Sequence, residues 1–337
     1  MTPKNLLITG GAGFIGSEFV AQAVKNGHKV IVLDALTYAG NRANLEWIKP
    51  QNHTLVEGNI KDGALVSKLM LEHHIDAIVH FAAESHVDNS ISGPAVFIDT
   101  NIVGSYTLLE AAHQYHSSLP ESKKTAFRYV HVSTDEVYGA LGKTGHFDEN
   151  SPLKPNSPYS ASKAASDLLT RAWYVTYGLP AIITNCSNNY GPRQYPEKLI
   201  PVIINNAISG KKLPVYGNGS NIRDWIHVED HCSGVMLALE KGVPGETYLF
   251  GGNSEVANID LVKKICHILD EIKPSKTGKP YQSRIEFVTD RLGHDYRYAI
   301  DDSKAKTALG FKHRHGLDSG LRSTVEWYIN EHSSSNR

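Results

Sequence analysis

The first half of the chain alternates short apolar runs with longer stretches whose apolar positions recur every three or four residues. "LLITG" (6–10), "KVIVLD" (29–34), "HTLVEGNI" (53–60), "DAIVHFAA" (76–83) and "YVHVST" (129–134) read as strands, followed by "PAIITNCSN" (180–188). "GSEFVAQAVKNGH", "GALVSKLMLEHH", "NIVGSYTLLEAAHQYH" and the stretch from Ser160 to Tyr177 carry helical spacing. Strands rich in β-branched residues, alternating with helices, predict right-handed βαβ units. The fold class is therefore α/β, a Rossmann-type doubly wound parallel sheet covered on both faces. From "YGPRQYPEKLIP" onward Pro and Gly become more frequent and the elements shorter. Residues 1–188 read as the sheet domain. Residues 189–330 read as a smaller C-terminal lobe, interleaved with it and returning segments to it. The closing "HSSSNR" reads as a frayed polar tail.

Bulk properties narrow the class. The chain has 337 residues with 34 basic and 35 acidic side chains, so no net field favours nucleic acid or a membrane surface. Cys186, Cys232 and Cys266 are far apart and form no CxxC pair, which fits reduced structural thiols. The 17 histidines are scattered, His73-His74 reads as helix surface, and no metal is expected. No apolar run approaches the roughly 18 residues of a membrane span. A strand starting near residue 4 leaves no room for a signal peptide. A soluble cytoplasmic protein is expected.

Two motifs carry chemistry. "TGGAGFIGS" places Gly10, Gly13 and Gly16 directly after a strand and at the opening of a helix. Such glycines permit a tight turn and let a pyrophosphate approach backbone amides at the helix N-terminus. The next strand ends in Asp34, 18 residues past Gly16. An acid there accepts from ribose hydroxyls and repels a 2′-phosphate, which favours NAD over NADP. "SPYSASKAASDLL" then sets Tyr159 and Lys163 one helical turn apart. An ammonium beside a phenol favours phenolate, a base for a substrate hydroxyl.

Between these motifs "HVSTDEVYG" ends a strand in Thr134 followed by two acids, Asp135 and Glu136. Taken alone, the acids fit either a solvated turn or an acid/base pair at the rim of the sheet.

"STDEVYG", "SPYSASKA", "NCSNNYGP", "YPEKLIP", "RDWIHVEDH", "GETYLFGG" and "DRLGHDYRYAID" together resemble the nucleotide-sugar 4,6-dehydratases of the extended short-chain dehydrogenase/reductase superfamily. The resemblance runs from about residue 4 to about residue 330. It implies NAD as cofactor and a nucleotide-sugar substrate, thymidine being favoured over uridine and cytidine. The implied reaction is C4 oxidation, water loss across C5 and C6, and hydride return to C6. It implies Tyr159, Lys163 and Thr134 for oxidation, Glu136 as base at C5 and Asp135 as acid at O6. The product type commonly feeds deoxysugars such as rhamnose.

By position in the motifs, NAD contacts fall on Gly10, Gly13, Phe14, Ile15, Gly16, Asp34, Ala35, Leu36, Thr37, Asn59, Ile60, Phe81, Ala82, Ala83, Ser85, Thr100 and Asn189, beside Tyr159 and Lys163. Substrate contacts fall on Ser85, Thr134, Asn188, Lys198, Leu199, Pro214, Val215, Tyr216, Arg223 and Asn258, with Asp290, Arg291, His294 and Asp295 on a closing loop. Asn59 stands where the family usually has an Asp holding the adenine amino group; its amide oxygen can still accept that bond. Relatives pair through two helices per subunit, so a homodimer is expected, with Leu108, Leu109 and Ala112 suggesting an apolar face. A nucleotide-sugar 4-epimerase, which shares the Tyr/Lys pair but lacks the acids, and a silent dinucleotide binder remain as rivals.

Overall fold

In a computed structural model, residues 3–49 and 52–334 are described; the last residues of the polar tail, 335–337, lie outside them. The strands are β1 (Asn5–Thr9), β2 (Lys29–Asp34), β3 (His53–Glu57), β4 (Ala77–His80), β5 (Arg128–Thr134), β6 (Ala181–Cys186), β7 (Asn188–Tyr190), β8 (Leu213–Tyr216), β9 (Ile222–His227), β10 (Thr247–Phe250), β11 (Glu255–Ala257) and β12 (Ile285–Val288). Seven of them form one parallel sheet in the order β10-β6-β5-β4-β1-β2-β3. The chain builds outward from β1 to β3, then restarts on the other side with β4. That reversal opens a crevice beyond the carboxyl ends of β1 and β4, where ligands of such sheets bind.

Helices α1 (Phe14–Lys25), α2 (Ala43–Glu46) and α3 (Gly63–Glu72) belong to the β1–β4 half. Short α4 (Val87–Ser92) and α5 (Ala95–Phe97) lead into α6 (Ser105–Ser118) and α7 (Glu121–Lys124), and α8 (Pro158–Tyr177) precedes β6. Beyond β7 come α9 (Leu199–Ile208), α10 (Val228–Lys241), α11 (Asn258–Ile272) and α12 (Leu317–Ser334). One apolar cluster packs α1 and α10 on one face of the sheet, and a second packs α3, α6 and α8 on the other. With both faces covered, β1 and β2 are buried along nearly their whole length, as parallel strands require. A third cluster joins α9, α11 and α12 in the C-terminal lobe. The sequence after residue 188 thus supplies its own core and also completes the sheet with β10 and α10.

Two local departures position the site. The segment expected to open a helix at Asn101 is π-helical over Ile98–Gly104. There the buried Asn101 receives the Glu84 N–H at 2.8 Å and donates to Ser162 Oγ at 2.8 Å, tying the loop after β4 to α8. The strand expected over 53–60 ends at Glu57, which frees Asn59 and Ile60 for the crevice. α8 starts two residues earlier than its spacing suggests. Ser157 and Ser160 cap each other reciprocally, Pro158 takes the first turn and Gly178 ends the helix in left-handed conformation.

Candidate active site

The wall of the crevice beside α1 is made of backbone. Gly10 holds φ +70°, and a Cβ there would lie 2.6 Å from Ala82 N. A Cβ on Gly16 would lie 2.2 Å from Gly10 O. Only glycine permits this packing of β1, α1 and the loop after β4. Asp34 at the end of β2 is buried; its Oδ2 accepts the Ala12 N–H and its Oδ1 the Leu36 N–H, both at 2.8 Å. Burial pushes its carboxyl above the ordinary value, while those two amides favour the charge. Each oxygen keeps a further lone pair for a ribose hydroxyl. The bare cradle and this fixed carboxylate fit a dinucleotide of the NAD type.

The facing wall is made of side chains. β5 ends at Thr134, whose hydroxyl receives the Glu136 N–H at 3.3 Å and starts a 3₁₀ turn over Asp135–Tyr138. Asp135, 1% exposed, is packed under the crevice, while Glu136 is half-buried at its lining. Burial, then the neighbouring Glu136 and Asp224, push Asp135 well above the ordinary carboxylate range. Burial also raises Glu136, and Lys198, Arg223 and Arg291 offset that only in part. The environment separates the pair: Asp135 keeps a proton and Glu136 loses one more readily. Tyr159 lies in the same crevice, raised well above its ordinary value by burial and then by the Glu136 charge, with the Thr134 hydroxyl favouring its ionisation. Lys163 Nζ donates to Val132 O at 2.9 Å, and burial lowers its ammonium to about 8.

Comparison with known proteins places this geometry. The chain matches the GDP-mannose 4,6 dehydratase family over residues 7–324. It is 56% identical to dTDP-glucose 4,6-dehydratase of Xanthomonas campestris pv. campestris (strain B100), spanning 96% of this chain and 92% of that one. It is 51% identical to dTDP-glucose 4,6-dehydratase 1 of Escherichia coli (strain K12), with the same shares covered. It superimposes on the dTDP-glucose 4,6-dehydratase of Streptomyces venezuelae, solved with NAD and TYD bound, at TM-score 0.88 and 46% identity, covering 98% of both chains.

The chain belongs to the GDP-mannose 4,6 dehydratase family. Within this dehydratase chain, one cleft is lined by Thr134, Asp135, Glu136, Tyr159 and Lys163 together with Ser85, Asn188, Asn189 and Lys198. The same cleft takes in Gly10, Gly13, Phe14, Ile15, Gly16, Asp34, Ala35, Thr37, Asn59, Ile60, Phe81, Ala82, Ala83 and Thr100. Leu36 departs from expectation: its amide fixes Asp34, but its side chain packs on the core below. Asn59 Oδ1 accepts the Lys61 N–H at 2.9 Å, so one lone pair remains there for an adenine amino group.

The residues expected at the nucleotide sugar divide into two sets. Lys198 Nζ donates to Ser85 O at 2.9 Å at the cleft wall, and Asn188 Oδ1 is buried without a partner. Ser85 and Thr134 line the cleft as well, and the others lie outside its lining. Val215 corrects the expectation for 214–216: strand alternation turns it into the C-terminal core at 2% exposed, while Pro214 and Tyr216 face the other way. Leu199 opens α9 and leans on the same core. Arg223 donates to Ile222 O at 2.8 Å and Asp295 O at 2.9 Å, and lies over the Tyr298 ring. Asp295 is buried and receives Asn156 Nδ2 at 2.6 Å and the Tyr298 hydroxyl, so it anchors the loop rather than closing it. Arg291 grips Asp88 with two bonds of 2.5 and 2.9 Å, Tyr216 donates to the same carboxylate, and His294 pairs with Asp290. Asn258 begins α11 with its Oδ1 buried and unpartnered.

Sequence reasoning missed Tyr38, Glu84, Cys186, Ser187, Gln194, Tyr195 and Glu197. Tyr195 and Glu197 line the cleft, and Tyr38 stacks edge-on against Tyr195. Glu197 sits inside the quoted "YPEKLIP", beside Lys198, so the signal was present. Away from the cleft, His227, Glu229 and His315 bring one ligand-type atom each within 4.8 Å. His227 Nδ1 already receives the Glu229 N–H, and His315 Nε2 pairs with Glu229. These groups serve as a helix cap and a hydrogen-bonded pair joining α10 to the segment before α12.

Proposed function

We propose that the protein dehydrates dTDP-glucose to dTDP-4-keto-6-deoxyglucose with NAD as a recycled cofactor. The observation that carries this is the adjacent acids, Asp135 buried and Glu136 half-buried, in one cleft with Tyr159, in a chain 56% identical to a dTDP-glucose 4,6-dehydratase. NAD, when bound, supplies a hydride acceptor at C4 and a hydride donor at C6.

The residues do the rest. Tyr159, whose phenol is pushed up by burial and the Glu136 charge and only partly relieved by the Thr134 hydroxyl, takes the O4 proton. The resulting C4 ketone acidifies the C5 proton, which Glu136 removes. Asp135, held protonated by burial, gives its proton to O6 as water departs. Glu136 returns its proton to C5, and the O4 proton balances the one lost with water. Asp34 would hydrogen-bond the adenosine ribose and the glycine wall would admit the pyrophosphate. Asn189, fixed by His231 at 2.9 Å, would face the nicotinamide.

A homodimer is part of this reading, on a different face from the one expected. Leu108, Leu109 and Ala112 are fully buried within their own subunit. Exposed apolar side chains on α6, α8 and the segment before α6 include Ile98, Val103, Tyr106, Leu168, Val175 and Tyr177, which supports pairing with a second copy. No helix among the described residues is long and apolar enough to cross a membrane; we place the enzyme in the cytoplasm, supplying a 4-keto-6-deoxy sugar to deoxysugar synthesis such as that of rhamnose.

Mass spectrometry of the protein with dTDP-, UDP- and CDP-glucose, without added reductant, tests the proposal. Loss of one water from the thymidine sugar is expected. Loss from another sugar instead overturns the substrate, and no loss from any overturns the activity.

A further inference from the structure

Between β2 and α2 the chain runs as a strap along the cleft, which Thr37, Ala39 and Gly40 line. Both feet of the strap are tied to the dinucleotide wall. At one foot Leu36, at φ +49°, gives its N–H to Asp34 Oδ1 at 2.8 Å. At the other, the Asn41 N–H and Asn44 Nδ2 both donate to Ala12 O, at 3.0 and 2.8 Å. Between them the Gly40 N–H closes a turn onto Thr37 O at 3.1 Å, and a Cβ on Gly40 would lie 2.6 Å from Asp34 Oδ1.

The tip of the strap reaches the other lobe. Tyr38 lies outside the cleft lining and is 37% exposed, yet its ring meets Tyr195 edge-on, centroids 5.4 Å apart and planes at 89°. Tyr195 does line the cleft, on the segment that follows β7. That segment is firmly seated: Gln194 Nε2 donates to Asn189 O at 2.9 Å, and the Tyr328 hydroxyl of α12 donates to Gln194 O at 2.6 Å. One further ring contact joins the same two stretches just past α2, where the Arg193 guanidinium sits 4.1 Å from the Trp47 ring. Among the described residues no backbone hydrogen bond links them. The strap is therefore fixed at its feet and closed at its tip by side chains alone, a junction that can part without unfolding the sheet.

A recycled NAD is oxidised and reduced within one turnover and need not leave, whereas the sugar exchanges at every cycle. Holding one ligand while releasing the other calls for a closure over the cofactor. The strap rests on Asp34 and Ala12, at the adenosine end of the cleft. We propose that Tyr38 and Tyr195 are cofactor-retaining residues: their edge-on contact closes residues 37–40 over the adenosine end of the bound dinucleotide, and NAD leaves only when that contact parts. The sugar exchanges without parting it.

The inference rests on the dehydratase reading for the recycling of NAD, and its test needs no sugar. Holoenzyme carrying ¹⁴C-labelled NAD is chased with excess unlabelled NAD, and the label still on the protein is counted after gel filtration. Tyr38→Ala and Tyr195→Ala are each expected to release NAD about tenfold faster than the native protein, the size of one edge-to-face pair. The double variant releases it no faster than either single one, because each removes the same contact. Tyr38→Phe keeps the ring and releases NAD at the native rate. Should Tyr195→Ala fail to fold, Tyr38→Ala and Tyr38→Phe decide the question by themselves. An unchanged rate in Tyr38→Ala overturns the proposal. Effects that multiply in the double variant also overturn it, since each ring would then act on the cofactor separately, and so does equal acceleration by Tyr38→Phe. Expected release rates in a protein that removes no water from any nucleotide sugar would support the strap and overturn the dehydratase reading alone.

Discussion

The two walls of the cleft are built on opposite principles. The wall at β1 and α1 works by leaving atoms out: Gly10 and Gly16 bring backbone so close that an added methyl meets Ala82 N or Gly10 O at 2.6 and 2.2 Å. The wall at β5 and α8 works by putting charge where water is scarce: Asp135, Glu136, Tyr159 and Lys163 each have a proton affinity displaced chiefly by burial. The first should be intolerant of volume and indifferent to charge. The second should be intolerant of charge changes and tolerant of isosteric ones as far as folding is concerned.

The largest expected effect tests the second wall. Glu136→Gln preserves shape and should cut turnover by roughly 10²–10⁴-fold, the usual worth of a positioned base. C4 oxidation should survive, seen as accumulation of reduced cofactor after one encounter with substrate. Equal loss of both steps would remove Glu136 from the elimination. On the first wall, Gly16→Ala should weaken retention of NAD about a hundredfold, equivalent to about 3 kcal/mol of overpacking. Ultraviolet absorbance of the purified protein measures it, and unchanged cofactor content would break the contrast.

Arg291→Ala probes the rim, where the guanidinium grips Asp88. KM for the nucleotide sugar should rise about tenfold with kcat little changed, as for the loss of one charged hydrogen bond. An unaltered KM would make Arg291 a clasp for Asp88 alone.

Asp135→Asn sharpens the charge argument through stability. The folded-state affinity of Asp135 for its proton is raised, so the stability this group contributes is full at low pH and is lost as pH rises through its folded value. Asparagine removes that dependence. The variant should lose dehydration yet melt at least as high as the native enzyme at pH 9, with the advantage shrinking toward pH 5 in thermal scans. The smallest effect concerns the scaffold alone: Ser157→Ala should remove about 1 kcal/mol of capping. Tm should fall by about 2 °C, with the pH profile unmoved.

Some of this was legible in the chain. β1, β2 and β4–β6 fell where apolar runs placed them, and Gly10, Gly13, Gly16 and Asp34 were named from spacing. The acids at 135 and 136 were visible but ambiguous, since a turn residue and a catalytic acid look alike until something packs over them. Val215 and Leu36 were misjudged because a motif position says nothing about which way a side chain turns. Leu108, Leu109 and Ala112 were misjudged for a related reason: an apolar helix face can meet its own sheet as readily as a second subunit.

By itself the sequence determined what depends on neighbours a few residues away. Strand and helix periods, the glycine turn, the cap of α8 and the helical spacing of Tyr159, Lys163 and Asp167 all follow from local sterics and hydrogen bonding. The tertiary structure decided everything that depends on dielectric. Asp135 is acidic or inert according to the residues packed around it, among them Arg223 and Asp224 nearly ninety positions later in the chain. Asp167 is held in place by Ser133 and Asn185, which reach it from two other strands. Desolvation and charge coupling are sums over space, and the order of residues along a chain does not contain distances through space.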